Sequence, residues 1–231
     1  MKFIPHFFHH SVHAFVAGVV LSATLMATFV VFEPVIGRAI TDDFVVTQSI
    51  TGEIAFSVPA ANVTMTPPIA SLTGGTSTGA TQVVVTTNSV AGYNMTLGFA
   101  STTAMIGNAN GGSIPDYTPV SGGTPDYTFT VPPNTAEFGY TVEASTTNDL
   151  DPTFRNSGAT CASGGSDDAN ACWIDPAASS SPETIINRTT ALPLSGATTT
   201  IKFQMVVNAN PSPGIPADTY TATATLTALT N

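Results

Sequence analysis

The side chains best suited to chemistry are two cysteines, Cys161 and Cys172, in the stretch CASGGSDDANACW. An even number of cysteines predicts a disulfide if the chain enters an oxidising compartment. Closing a loop of this size would stabilise the fold by roughly 3 kcal/mol. A metal site is the alternative, but two thiolates are too few ligands for zinc and no histidine follows His13. We therefore predict a disulfide.

Carboxylates are the remaining candidates for catalysis or metal binding, and no histidine is present beyond His13 to complete a nucleophilic triad. A glycosidase would need two acids across a cleft, and their spacing does not indicate such a pair. The stretches TNDLDPTFRN and GGSDDANA offer oxygen ligands for calcium, without EF-hand spacing. We predict no enzymatic activity and no cofactor, and we interpret the acids as solvent-facing residues of turns. The alternative is that some of them bind calcium. The acids considered as candidates for catalysis are Asp149, Asp151, Asp167, Asp168 and Glu183.

Trp173 follows the second cysteine directly. A tryptophan beside a cystine is most often a packing residue, and we predict that role here. The alternative is an exposed ring that stacks against a glycan. A second local feature is the tetrapeptide PDYT, which occurs at 115–118 and again at 125–128. Two copies are too few for a repeat protein, so they indicate two similar entries from a turn into a strand.

The cysteines, acids and tryptophan must be positioned by secondary structure, and the sequence predicts strands for most of it. In the closing stretch DTYTATATLTALTN, the residues Tyr220, Ala222, Ala224 and Leu226 alternate with threonines. Similar two-residue periods recur in GYNMTLGFAS, EFGYTVEAS and TTTIKFQMVV, and Gly- and Pro-rich turns separate them. Alternation of this kind is typical of antiparallel sheets with one buried face. It predicts an all-β sandwich of seven or eight strands.

The N-terminal part of the chain has a different composition. Residues 14–32 form an uncharged, largely apolar run of the length of a membrane-spanning helix. A secretory signal is the favoured interpretation, with cleavage between Ala39 and Ile40, because Gly37 and Ala39 place small residues before the cut. An uncleaved anchor is the alternative. We predict a signal or anchor at 1–39 and one sandwich domain at 40–231, with an irregular segment at 145–193 that the disulfide pins.

Charge narrows the possible partners. The chain has a formal net charge of −10, and beyond residue 39 it carries 14 acidic but only three basic side chains. Such a surface repels a phosphate backbone, so we expect no nucleic-acid binding. Both interpretations of the N-terminus place the remainder outside the cytoplasm, extracellular or at the cell surface. Contact with a membrane is then expected only through residues 14–32 of an uncleaved chain.

Several stretches carry a resemblance that covers most of the exported chain: FVVTQSITGEIAF, NVTMTPPIASLTGG, AEFGYTVEAS, CWID and PADTYTATATLTAL. They resemble functionally uncharacterised exported surface proteins of reduced-genome, candidate-phyla (Parcubacteria-like) bacteria. The final strand is also similar to that of fimbrial and spore-coat β-sandwiches. The resemblance implies an immunoglobulin-like sandwich with an adhesive or coat role, and it assigns no catalytic residue.

Together these observations predict a non-catalytic structural or adhesive protein, whose partners are the cell envelope or neighbouring subunits. One alternative is a glycan- or calcium-binding module that works through the 145–193 segment. Another is a pilus-like subunit that assembles by strand addition, with the apolar stretch at 44–58 donated as an arm. The simpler interpretation of that stretch is the first strand of the chain's own sandwich.

Overall fold

The structure, a computed structural model, describes residues 7–31 and 41–231, which belong to two units, 1–49 and 50–231. The first unit contains one α-helix, α1 (Phe7–Val31), which covers most of the predicted apolar run. Phe32 and the predicted cleavage site at Ala39 and Ile40 lie outside the described residues. Among the described residues, no helix combines the length and apolarity that crossing a membrane requires.

The second unit is built of strands, as predicted, and it also contains two 3-10 turns at Thr147–Asp149 and Pro152–Phe154. In chain order the strands are β1 (Ile54–Val58), β2 (Gly75–Thr87), β3 (Tyr93–Phe99), β4 (Met105–Gly107), β5 (Ser113–Ile114), β6 (Ala136–Ala144), β7 (Glu183–Arg188), β8 (Ala197–Val207), β9 (Tyr220–Thr221) and β10 (Ala224–Thr230).

These strands form three antiparallel sheets, with the orders β1-β2-β8-β6, β10-β3-β7 and β5-β4-β9. The antiparallel prediction is confirmed, but the predicted count of seven or eight strands is too low. The two larger sheets hold seven strands, and the small third sheet adds three. Strands of two or three residues are too short to show an alternating pattern, which explains why β4 and β5 were missed. β9 is the beginning of the predicted final strand, which the structure divides into β9 and β10.

The two larger sheets contribute to one core. In β3 the side chains of Tyr93, Met95 and Leu97 are fully buried and alternate with half-buried neighbours. Phe138 of β6 lies edge-on to Phe99 of β3, with ring centroids 6.3 Å apart. Aromatic pairs in this geometry add to the stabilisation from buried apolar area. The predicted buried faces of the long strands therefore meet between the sheets.

The 145–193 segment is more regular than predicted, because β7 lies within it and pairs with β3. Two adjacent side chains of β7, Ile185 and Ile186, are both fully buried. The pairing shifts register between Met95 and Thr96, which is the irregularity that a bulge produces. Because a bulge places successive residues on one side, the two-residue period is lost and the strand is hidden in the sequence.

The predicted strand at 44–58 is divided in the structure. Its second half is β1, which pairs with β2 from the Ile54–Thr87 pair onward, as the simpler interpretation requires. Its first half has no regular secondary structure. We call residues 41–50 the arm; its side chains Phe44, Val46 and Ile50 are 84%, 82% and 85% exposed.

Candidate functional site

The two cysteines form the predicted disulfide, with Cα atoms 5.5 Å apart. Both are buried, and they pack with Ala171 and Tyr127 in a small cluster of their own. The disulfide closes the loop that joins the 3-10 turns to the segment beside β6. Neither sulfur is available as a thiol nucleophile or as a metal ligand while this bond is intact.

Trp173 is a packing residue, and the alternative of an exposed ring for glycan stacking is wrong. Its side chain is only 2% exposed, and its indole N–H donates to the Asn170 carbonyl at 3.0 Å. The ring meets Phe129 edge-on at 5.3 Å, and the backbone exchanges hydrogen bonds of 2.8 and 3.0 Å with Asp126. A ring enclosed in this way has no face for a sugar.

Three of the predicted acids bind groups of the protein itself. Asp149, at the end of the first 3-10 turn, is buried and forms an ion pair with Arg188 of β7. Asp151 caps the second turn, since its Oδ1 accepts from the Thr153 amide at 2.9 Å. Asp168 accepts from an amide of its own turn. These are structural uses of a carboxylate.

The other two acids are half-buried, and burial raises the pKa of each. For Asp167 the Ala144 amide, which donates at 2.8 Å, opposes that effect. For Glu183, at the start of β7, the nearby Asp151 and Asp175 add to it. Throughout residues 7–31 and 41–231, no group of three or more histidine, cysteine or acidic side chains is placed to hold a metal ion.

A half-buried polar cluster that sequence reasoning did not predict lies at the two PDYT stretches. The Tyr117 hydroxyl donates to Asp126 Oδ2 at 2.7 Å, and the Val120 amide donates to the same oxygen at 2.9 Å. Asp116 accepts from the Ala104 amide at 3.0 Å, and burial raises its pKa to about 6. The repeated tetrapeptide was the available signal: a tyrosine of one copy is bonded to an aspartate of the other.

Unit 50–231 contains an open, mainly apolar groove of about 950 Å³. Its deep surface comes from strands of both larger sheets and includes Phe99, Phe138 and Phe203. We call this cavity the groove. An open, mainly apolar cleft of this size is within the range of pockets that bind ligands.

One wall of the groove is formed by residues 60–72, which are bound to β2. The Ala61 amide donates to Thr81 Oγ1 at 2.9 Å, and Thr66 and Thr78 exchange two backbone hydrogen bonds of 2.9 Å. The close approach requires glycine at 79, because a Cβ there would lie 2.4 Å from Val63 Cγ1. This wall is therefore fixed to the sheet rather than free to fill the groove.

The opposite wall is formed by β10 and the residues before it. Ala222, Ala224 and Leu226 line the groove, whereas Thr223 and Thr225 between them do not; before Ala222, both Thr219 and Thr221 also contribute to the lining. The alternation of the closing stretch thus places small apolar side chains on the groove side. Two alanines in a row of three leave the space that larger side chains would otherwise occupy.

The edges of the two larger sheets are not equally protected. At the edge of β6, Tyr140 exchanges hydrogen bonds of 3.0 and 3.1 Å with Ile174, and Phe138 is bonded to Pro115 and Tyr117. At the edge of β7, the Asp151 amide donates to the Ile185 carbonyl at 3.0 Å. Within residues 50–231, β10 pairs with β3 alone and lies beside β1 without pairing to it.

No family model, curated protein or solved structure matches this chain. The candidate site is a mainly apolar groove beside an unpaired strand edge. The two cysteines are bonded to each other, and four of the five predicted acids accept hydrogen bonds or form an ion pair within the fold.

Proposed function

We propose that the protein is a non-catalytic structural or adhesive component of the cell surface or extracellular space, with an immunoglobulin-like β-sandwich as its body. One observation carries this proposal: the side chains best suited to chemistry are already committed to the fold. Cys161 and Cys172 are bonded to each other, and Asp149 neutralises Arg188. What the molecule offers to partners is a hydroxyl-rich and acidic surface, an apolar groove and a strand edge.

Two features support export. The disulfide is of the kind that persists in oxidising compartments. The apolar helix α1 lies within residues 1–39, where a secretory signal would be needed. An exported protein with a net charge of −10 is not suited to nucleic acid. Its expected partners are therefore the cell envelope and neighbouring subunits.

Among the specific forms of this function, the geometry favours a pilus-like subunit that assembles by strand addition. The arm has no regular secondary structure and carries exposed apolar side chains, and β10 presents an unpaired edge beside an apolar groove. An exposed edge of this kind is the surface that strand addition uses. The glycan-binding alternative loses its main residue, because Trp173 is buried.

Trapping of thiols in the producing cell tests the proposal. Cells are treated with an alkylating agent before lysis, the fractions are separated, and the mature N-terminus and the modification of Cys161 and Cys172 are read by mass spectrometry. We expect both cysteines to be unmodified and the protein to lie in the envelope or medium fraction. A chain that lacks residues 1–39 is the matched control, and its cysteines should be alkylated in the cytosol. Reduced cysteines in a cytosolic full-length protein would overturn the proposal.

A further inference from the structure

We propose that the arm of a second copy of this chain binds in the groove and adds as a strand to the free edge of β10. The side chains of Phe44, Val46 and Ile50 would then fill the apolar space. This inference rests on the proposed function and names the partner of that surface: another copy of the same chain.

The arm carries more large apolar side chains on one parity than on the other. Phe44, Val46 and Ile50 share one parity with Asp42 and Gln48, whereas Val45 is the large apolar side chain of the other parity, beside Asp43 and Thr47. In an extended chain, residues of one parity lie on one face. Large apolar side chains left in water are unfavourable relative to full burial. A run of them on one face of an unpaired segment therefore has a strong tendency to be covered.

The groove offers what this face lacks. Its deep surface is apolar, and the β10 wall supplies alanines at 222 and 224. The large side chains of the arm would face the small side chains of this wall, and large side chains that face small ones are typical of well-packed interfaces. The wall at 60–72 is held to β2 by backbone hydrogen bonds, so it remains a fixed boundary for an incoming segment.

The backbone geometry also fits. In an antiparallel sheet every second residue of β10 directs its N–H and C=O groups away from β3, toward the unpaired edge. An added strand would satisfy these groups and extend the three-stranded sheet to the order arm-β10-β3-β7. The seven residues of β10 span about 24 Å, and the ten residues of the arm span about 33 Å when extended. The extended arm is therefore at least as long as β10.

A second copy is the occupant that the chain itself supplies, because every copy carries one exposed arm and one groove. A contact in which the donor surface differs from the acceptor surface continues from copy to copy, unless the geometry closes a ring. The expected product is therefore a chain of subunits rather than a symmetric dimer.

The first experiment measures the mass of the full-length protein by sedimentation velocity over a range of concentrations. Wild type should form multimers whose size grows with concentration. F44D/V46D should weaken self-association at least about tenfold, because it places charges on the apolar face. V45D is the matched control: Val45 is 90% exposed but of the opposite parity, and this variant should assemble like wild type.

A reciprocal pair of variants tests the groove. A224F fills the space beside β10 and should abolish assembly, whereas T225F adds the same ring on the other parity of the strand and should not. Far-UV circular dichroism and thermal melting show whether each variant is folded. Wild type and all of the variants retain α1. If they associated through that helix, the variants would form multimers of the same mass as wild type. This result would overturn the inference.

A labelled peptide of residues 41–50 provides a second measurement. It should bind saturably to F44D/V46D, whose groove is empty, and not to A224F. A different result would overturn the inference: wild type is folded and monomeric and does not bind the peptide, whereas F44D/V46D does bind it. The occupant of the groove would then be the arm of the same chain. If assembly fails while the cysteines are oxidised at the envelope, only strand addition is lost. Reduced cysteines in the cytosol would instead contradict the proposed function.

Discussion

At the scale of single residues, the ion pair between Asp149 and Arg188 is the most consequential polar contact. Both side chains are about nine-tenths buried, and Arg188 also donates to the Thr190 and Ala191 carbonyls. Removing one partner of a buried pair leaves an uncompensated charge, which is more damaging than removing both. The pair therefore joins the 3-10 turn at 147–149 to the end of β7.

We predict that R188M destabilises the protein by about 3–5 kcal/mol. The double variant D149N/R188M should recover part of that loss, because it removes the unpaired carboxylate as well. Urea unfolding followed by tryptophan fluorescence measures both. Equal stabilities for the single and double variants would show that the lost hydrogen bonds of Arg188, and not the stranded charge, account for the effect.

Asp116 predicts a pH dependence of the opposite sign to the usual one for carboxylates. Burial raises its pKa to about 6, with Asp175 adding to the effect and the Ala104 amide opposing it. Because the folded state binds this proton more tightly, its contribution to stability is full below about pH 4 and is lost as the pH rises to about 6. D116N keeps an oxygen for the Ala104 amide and should be more stable at pH 7 by about 1–2 kcal/mol.

Thermal melting of wild type and D116N at pH 4 and pH 7 checks this. The pKa values of Glu137, Asp167 and Glu183 are also raised by burial, so the wild-type slope includes their contributions. The difference between the two proteins isolates Asp116. It should be small at pH 4 and large at pH 7, and a constant difference would contradict the prediction.

At the scale of elements, the disulfide closes the loop 161–172, which follows the 3-10 turns and leads to the segment that packs beside β6. Hydrogen bonds hold the same segment independently: the Thr141 hydroxyl donates to the Ala171 carbonyl, and Tyr140 pairs with Ile174. The cystine is therefore a brace on a segment that is already docked.

We predict that C161A/C172A lowers the free energy of unfolding by about 2–3 kcal/mol while the strand content stays unchanged. Urea unfolding and far-UV circular dichroism measure the two quantities. Wild type treated with a reductant should have the stability of the variant. Loss of the strand signal would mean that the cystine, rather than the sheet, organises this part of the molecule.

The elements also show what a sequence of this kind can and cannot reveal. β3 was predictable because it alternates strictly through Tyr93, Met95 and Leu97. β7 was not, because the bulge places Ile185 and Ile186 together and removes the period. The arm has large apolar side chains at alternate positions, Phe44 and Val46, yet it has no regular secondary structure, because a local pattern records a tendency to pair and not the identity of the partner.

At the scale of the whole molecule, the two parts of the candidate site differ in how far they can be predicted. The disulfide follows from the number and spacing of two cysteines. The groove does not, because its lining comes from strands of both larger sheets and from residues 60–72. Only the tertiary arrangement brings these segments together. The alanines of the final strand were visible in the sequence, but their significance depends on what lies opposite them.

The net charge of −10 predicts how assembly depends on salt. Subunits of like charge repel one another, and the repulsion is screened over about 10 Å at 0.1 M ionic strength. The contact proposed here is apolar and backbone-mediated, so it contains no ion pairs for salt to weaken. We therefore expect multimers to grow between about 0.02 M and 0.5 M sodium chloride. Dissociation over this range would indicate a charge-mediated contact instead.

The directionality of strand addition gives the last prediction. F44D/V46D lacks a competent arm but keeps its groove, whereas A224F keeps its arm but lacks the space to accept one. Each should be monomeric alone. Mixed in equal amounts, they should form a dimer and nothing larger, because one arm enters one groove and neither remaining surface is competent. Sedimentation velocity distinguishes this outcome from continued growth, which would require a second interface, and from two unmixed monomers, which would show that the arm and the groove do not meet.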